Sequence, residues 1–164
     1  MWVVVSVVAI VVLVATYLTW TAARVDRLHA RAAAAYSALD AQSIRRAAVA
    51  AELGERQGFL EAQTAAKAVL DAVPEDRESA ENDLTRALRV AAGKFDVEAM
   101  AGIEEASRRL ALARQVHTDL VRDALAVRRQ PLVRLFRFTR RHPQPRFFDI
   151  DEPTLDDNQD PRHR

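Results

Sequence analysis

Cysteine is absent from the 164 residues, which excludes disulfide scaffolds, Cys-ligated zinc or iron–sulfur centres and thiol nucleophiles. Glycine occurs four times and proline six times, too few turn formers for a sandwich or barrel with its many reversals. No proline interrupts residues 1–73, and no charged residue precedes Arg24. An excess of either charge is missing as well: 24 Lys and Arg stand against 23 Asp and Glu. A formal charge of +1 directs the chain neither to nucleic acid nor toward strongly basic partners. What remains is abundant Ala, Leu, Arg and Glu, a helix-forming composition in a length that suits one domain with appendages. An all-α protein is expected, with no repeat of the 20–50-residue kind that marks a solenoid.

The first 23 residues carry the strongest signal. Trp2 to Trp20 reads WVVVSVVAIVVLVATYLTW, close to the ~20 apolar residues that cross a hydrocarbon core as helix. Valine is a poor helix former in water, but in lipid every backbone polar group must pair within the segment, which imposes helix. Trp2 at one end, with Tyr17 and Trp20 at the other, occupy the headgroup levels that amphipathic rings favour. A cleaved signal peptide would need a basic n-region and a shorter apolar run, so an uncleaved span over 1–23 is expected. Arg24, Arg27 and Arg31 follow the run closely, and the positive-inside bias then puts the N-terminus outside and the body in the cytoplasm of a single-pass protein of the cell inner membrane.

Beyond the span the pattern predicts one helix continuing to about Leu53, with Gly54 as a stop. Val25, Leu28, Ala32, Ala35, Leu39, Gln42, Arg46, Val49 and Leu53 follow 3–4 spacing and draw a stripe for a partner helix. A second helix is expected over about 55–72 with Phe59, Ala66, Leu70 and Val73 on one side. Pro74, Glu75, Asp76 and Glu78 suit the first turn of a third, which carries Ala80, Leu84, Ala87, Leu88 and Ala91. Asp96 can cap a fourth, with Ile103, Ala106, Leu110, Ala113, His117, Leu120, Ala124 and Val127 in heptad register until Pro131. Four such helices with short connections are expected to form an elongated antiparallel four-helix bundle over residues 24–138.

Charge separates toward the end. Residues 122–148 hold eight arginines and one acid, whereas 149–164 hold six acids and two arginines. RFFDID between them is a short strand or docking segment, and the basic-then-acidic tail, 139–164, is expected to be largely disordered. Arg134, Arg137, Arg140 and Arg141 are interleaved with Leu132, Val133, Leu135, Phe136 and Phe138. Such a segment, 128–146, suits the surface of an anionic leaflet, or closes the end of the bundle and pairs with Asp149, Asp151 and Glu152.

Reactive constellations are scarce. His29, His117, His142 and His163 are far apart, with no His pair at i, i+4 and no Glu-x-x-His. Asp26 and His29 read as an exposed pair at the membrane edge, and His117 as a seam histidine. Carboxylates at 75–83 and 104–105 read as solvated helix charge. Gly54-x-x-x-Gly58 encloses Glu55, Arg56 and Gln57, which suits a helix break rather than a membrane dimer motif. No phosphate-cradling loop, nucleophile elbow or dinucleotide fingerprint is present. No catalytic residue, cofactor or metal is expected.

Ala35-Tyr36-Ser37-Ala38-Leu39-Asp40-Ala41-Gln42-Ser43-Ile44-Arg45-Arg46 on the first long helix is similar to the A-W-S-x-I-D-x-Q-x-x-R-R signature of the LemA family of bacterial membrane proteins, which the placed helices resemble. Glu81-Asn82-Asp83-Leu84 with Ala87-Leu88 is similar to its E-x-x-L-x-x-A-L stretch. Ala113-Arg114 with His117-Thr118-Asp119 and Val121 looks like its A-R-x-x-Y-N-D-x-V motif. The likeness runs from about residue 17 to 138, with Ala50-Ala51-Glu52 in place of an I-P-N segment and a shortened connection at Gly93-Lys94-Phe95. It implies a divergent, shortened member with an extracytoplasmic N-terminus, a cytoplasmic helical body and no established enzymatic activity. Tyr36, Asp40, Gln42, Arg45, Arg46, Arg114 and Asp119 are the signature positions it singles out. Gln42 and Arg46 interrupt the apolar stripe one turn apart, where buried polar groups need partners and can set helix register. The expected role is an interaction or scaffold module that meets a protein partner or a second copy, with anionic lipid as the alternative ligand.

Overall fold

The computed structural model describes residues 1–128, 148, 150–153 and 155. Among these it is all-helical: α1 Trp2–Gln57, α2 Leu60–Asp71, α3 Arg77–Ala91 and α4 Val97–Arg128, with one 3-10 turn at Ala92–Lys94. No strand occurs among the described residues. The chain divides into two compact units, Met1–Ala35 with the stretch that begins at Thr118, and Tyr36–His117 with the C-terminal segment that begins at Phe148.

In the first unit the apolar run of α1 is exposed. Trp2 is 87% exposed and Leu13 71%, and this is the one helix among the described residues long and apolar enough to cross a membrane. Its polar side chains satisfy themselves along the helix. Thr16 and Thr19 hydroxyls donate to the carbonyls of Val12 and Ala15, each at 2.9 Å, which hides their hydrogen-bonding capacity from an apolar surround. Farther along, Val25 of α1 and Val127 of α4 are buried against each other, with Leu28 beside them. His29 is buried, where an exposed position was expected, and its Nδ1–H donates to Val25 O at 2.9 Å.

The second unit contains the main core. Ala47 and Ala50 of α1, Ala62, Ala66 and Val69 of α2, Leu84 and Leu88 of α3, and Ile103 of α4 form one fully buried cluster. Five of these eight residues are alanine or valine, so the cluster is filled by close backbone approach more than by bulky side chains. Gly54 shows the same closeness. A Cβ there would stand 3.0 Å from the Gln63 backbone nitrogen and 3.2 Å from the Phe59 carbonyl oxygen. It is therefore a packing glycine and does not stop α1, which runs to Gln57.

The stop is Gly58, with φ +76°. The Phe59 N–H returns to Gly54 O at 2.8 Å and the Gly58 N–H to Glu55 O at 3.4 Å. These 6→1 and 5→2 bonds are the Schellman termination, which needs a left-handed residue that glycine supplies without a Cβ penalty. Phe59 then stacks edge-on against Phe95, ring centroids 4.5 Å apart. The second helix begins at Leu60, and its buried residues are Ala62, Ala66 and Val69; Leu70 and Val73 lie toward solvent.

Pro74 lies outside α3. The Asp76 N–H donates to Val73 O at 3.0 Å, closing a β-turn in which proline holds the second position with its fixed φ. At the start of α4 the Asp96 carboxylate accepts from the Ala99 N–H at 2.7 Å, an N-cap of the expected kind.

Candidate functional site

The polar centre of the second unit is built around Arg46. Its Nε donates to Ser107 Oγ at 3.0 Å, and Nη1 to the Glu81 carboxylate and to Thr85 Oγ1 at 2.9 Å. The other terminal nitrogen, Nη2, donates to the Pro153 carbonyl at 3.3 Å. Ser43, one turn earlier on α1, donates to the second Glu81 oxygen at 2.7 Å. Arg46, Glu81 and Ser43 are all fully buried. A charge taken out of water is costly unless an opposite charge and hydrogen bonds replace its hydration. Here one guanidinium gathers acceptors from α3, α4 and the C-terminal segment, and its counter-charge keeps both oxygens occupied.

A second ion pair lies two turns from it along α1. Arg77 Nε stands 2.8 Å from Asp40 Oδ1, and Arg77 Nη1 donates to Val69 O at 2.7 Å. Arg77 therefore ties the first turn of α3 to a signature carboxylate and to an orphan carbonyl in the last turn of α2. Burial, followed by the charge of Asp40, raises the Tyr36 phenol above its ordinary range. The Tyr36 ring lies 5.8 Å from that of His117 and 6.1 Å from that of Phe148. His117 is buried, its Nδ1 has no hydrogen-bond partner among the described residues, and desolvation lowers its pKa.

The C-terminal segment packs against this face. Phe148 and Ile150 are buried with Leu39 and Leu110, beside Tyr36 and Ala113, while Leu155 reaches the main core cluster. Polar contacts hold its main chain. The Asp151 N–H donates to Asn82 Oδ1 at 2.7 Å, and Arg89 Nη2 donates to Glu152 O at 2.6 Å. Arg114 Nη1 pairs with the Glu152 carboxylate at 3.6 Å. Part of the 139–164 tail, expected to be disordered, is thus packed: two apolar residues at period-two spacing and a row of side-chain partners give it something to bury. The docking reading of RFFDID describes Phe148 and Ile150 here.

The signature residues divide. Tyr36, Asp40, Arg46 and Arg114 belong to the networks just described. Gln42 is half-buried, and the polar group beside Arg46 that meets Glu81 is Ser43. Arg45 is exposed. Asp119 lies in the other unit, in an exposed pair with Arg122 at 3.0 Å. Arg134, Arg137, Arg140 and Arg141, with nearly all of segment 128–146, lie outside the described residues. Glu81 is the residue that sequence reasoning underused: it stood in the second signature stretch, and a buried arginine on α1 called for a carboxylate among the neighbouring helices. Among the described residues, no three His, Asp or Glu side chains gather where they could hold a metal ion. The chain matches no protein-family model, no curated protein and no solved structure.

Proposed function

We propose that this chain is a LemA-like, membrane-anchored protein without catalytic activity of its own, whose helical bundle serves as an interaction or scaffold module. In this reading residues 1–23 cross the cell inner membrane once, the N-terminus lies outside and the body lies in the cytoplasm. The observation that carries it is the apolar run of α1, exposed from Trp2 through Val14 without a protein surface over it. Contiguous apolar area of that extent is not left to water by a monomeric protein, and lipid is the solvent it fits. The arginines at 24, 27 and 31 support the orientation. Two features support the bundle and the family. All four helices contribute to one core cluster, and Arg46 and Glu81, from two separate signature stretches, meet as a fully buried pair.

The test uses the absence of cysteine. In cells expressing a Gly93→Cys variant, at an exposed site with open space around it, the chain is expected to stay in the membrane pellet through alkaline carbonate. It is expected to react with an impermeant maleimide only after lysis. Release by carbonate refutes the anchor, and labelling of intact cells refutes the orientation. Crosslinking in cells followed by purification in mild detergent then tests the module role. A recurrent protein at near-equal amount is the expected result, and recovery of this chain alone refutes the adaptor reading.

A further inference from the structure

The C-terminal segment lies on α1, α3 and α4 in the manner of a bound peptide. Its contacts sort into two kinds. Phe148 and Ile150 insert alternate side chains beside Leu39 and Leu110, the spacing with which an extended chain presents one face. Its backbone is held by side chains of the body: Asn82 accepts the Asp151 N–H, and Arg89 and Arg46 donate to the carbonyls of Glu152 and Pro153. Main-chain bonds supply affinity and alternate side-chain pockets supply selectivity in peptide recognition generally. Arg114 adds a charge contact to Glu152. Besides Arg46, whose charge Glu81 already answers, the groove presents Arg89 and Arg114 to an occupant rich in acids, and Asp149, Asp151 and Glu152 supply that character.

We propose that this groove is a binding site for an extended acidic peptide of the pattern aromatic-x-aliphatic-acid-acid-Pro, and that the chain's own segment is its resident ligand. The occupant in trans is the same segment of a second copy, which carries the matching residues by definition. The cis segment is displaceable because ordering several residues of irregular chain offsets much of what the buried Phe148, Ile150 and Pro153, the partly buried Leu155, one ion pair and three main-chain bonds contribute. Its departure leaves Arg46 its carboxylate, with water able to replace the Pro153 carbonyl. The inference deepens the interaction-module reading and rests on it, yet its test needs no membrane topology, so failure of the anchor and failure of the groove are distinguishable.

The probe is a fluorescent peptide, RFFDIDEPTLDD, corresponding to residues 146–157, titrated against the full-length chain in detergent micelles. Phe148→Ser with Ile150→Ser unseats the cis segment. This variant is expected to bind the peptide at least about tenfold more tightly than the unaltered chain, whose own segment competes at high effective concentration. Adding Arg89→Ala and Arg114→Ala is expected to weaken binding by about tenfold or more, as loss of charge-assisted contacts does. No binding to an unseated variant that retains its helical circular dichroism overturns the proposal, as does equal binding to variant and unaltered chain. Should the variant lose helicity, a second measurement decides. Asn82→Cys with Asp151→Cys in the otherwise cysteine-free chain is expected to crosslink with a short bismaleimide, within the chain or between two copies. Excess peptide is expected to slow that crosslinking, and an unchanged rate overturns the proposal.

Discussion

Replacing Glu81 by leucine strips the Arg46 guanidinium of its counter-charge while leaving Thr85, Ser107 and the Pro153 carbonyl as neutral acceptors. Ser43 loses its acceptor at the same time. Removing one member of a buried pair typically costs about 3–5 kcal/mol, because the survivor remains charged and uncompensated. Both side chains are 0% exposed, so solvent screening offers little relief and the upper part of that range applies. Against a domain stability of roughly 5–15 kcal/mol, the single variant stands close to unfolding at room temperature. Arg46→Met alone is expected to cost a similar amount, since Glu81 then keeps only the Ser43 hydroxyl. Arg46→Met combined with Glu81→Leu behaves differently. It exchanges both charges for apolar groups of comparable length, and the orphaned Ser43, Thr85 and Ser107 hydroxyls can turn to carbonyls of their own helices. The double variant is expected to lose about 1–2 kcal/mol, giving a coupling of several kcal/mol between the two sites. Urea unfolding of the four full-length proteins in the same detergent, followed by circular dichroism, measures each. Additive single-variant losses, or a Glu81→Leu loss below about 1 kcal/mol, would refute the argument that this pair is a mutually dependent buried unit.

Burial lowers the His117 pKa below its ordinary value of 6.5, so the unfolded chain binds the proton more readily than the folded one. Stability is then complete above pH 6.5 and falls as pH drops through 6.5 toward the folded value; urea midpoints at pH 8 and pH 5 should differ, and His117→Gln should shrink the difference. Gly54→Ala puts a methyl within 3.2 Å of the α2 backbone and is expected to cost about 1–3 kcal/mol in thermal unfolding. Gly58→Ala meets no atom but keeps φ at +76°, for about 1 kcal/mol. Asp96→Ala removes the α4 cap and is expected to cost about 1 kcal/mol by the same measurement.

The helices were largely legible from spacing, and the seam was legible by halves. On α1 the residues at heptad intervals, Val25, Ala32, Leu39 and Arg46, are buried as the stripe requires. The alternate members are shifted by one residue: His29, Ser43 and Ala50 are buried where Leu28, Gln42 and Val49 are only half-buried. The same displacement recurs on α4, where Ile103, Leu110, His117 and Ala124 hold while Ser107 and Val121 replace Ala106 and Leu120. At two of these positions the buried network selects the occupant, Ser43 over Gln42 and Ser107 over Ala106. That selection depends on partners far away in sequence, as Ser43 and Ser107 depend on Glu81 and Arg46. Helix ends were misplaced for a related reason. Gly54 and Gly58 look alike in sequence, but one makes room for the α2 backbone and the other supplies a left-handed residue. RFFDID was legible as a docking segment, but not its seat: Phe148 and Ile150 settle on Leu39 and Leu110, an apolar site that α1 and α4 build together.

The Arg46 hub also sets how the body opens. A helix held by apolar contacts alone can fray from its end while its neighbours stay closed. The carboxylate on α3 and the hydroxyl on α4 that share one guanidinium cannot separate from α1 in turn without exposing the same buried charge. Amides around Glu81, Ser107 and Arg46 should therefore exchange with solvent deuterium at one common rate, marking a single cooperative unit, while those of α2, which contributes nothing to the hub, are free to open earlier.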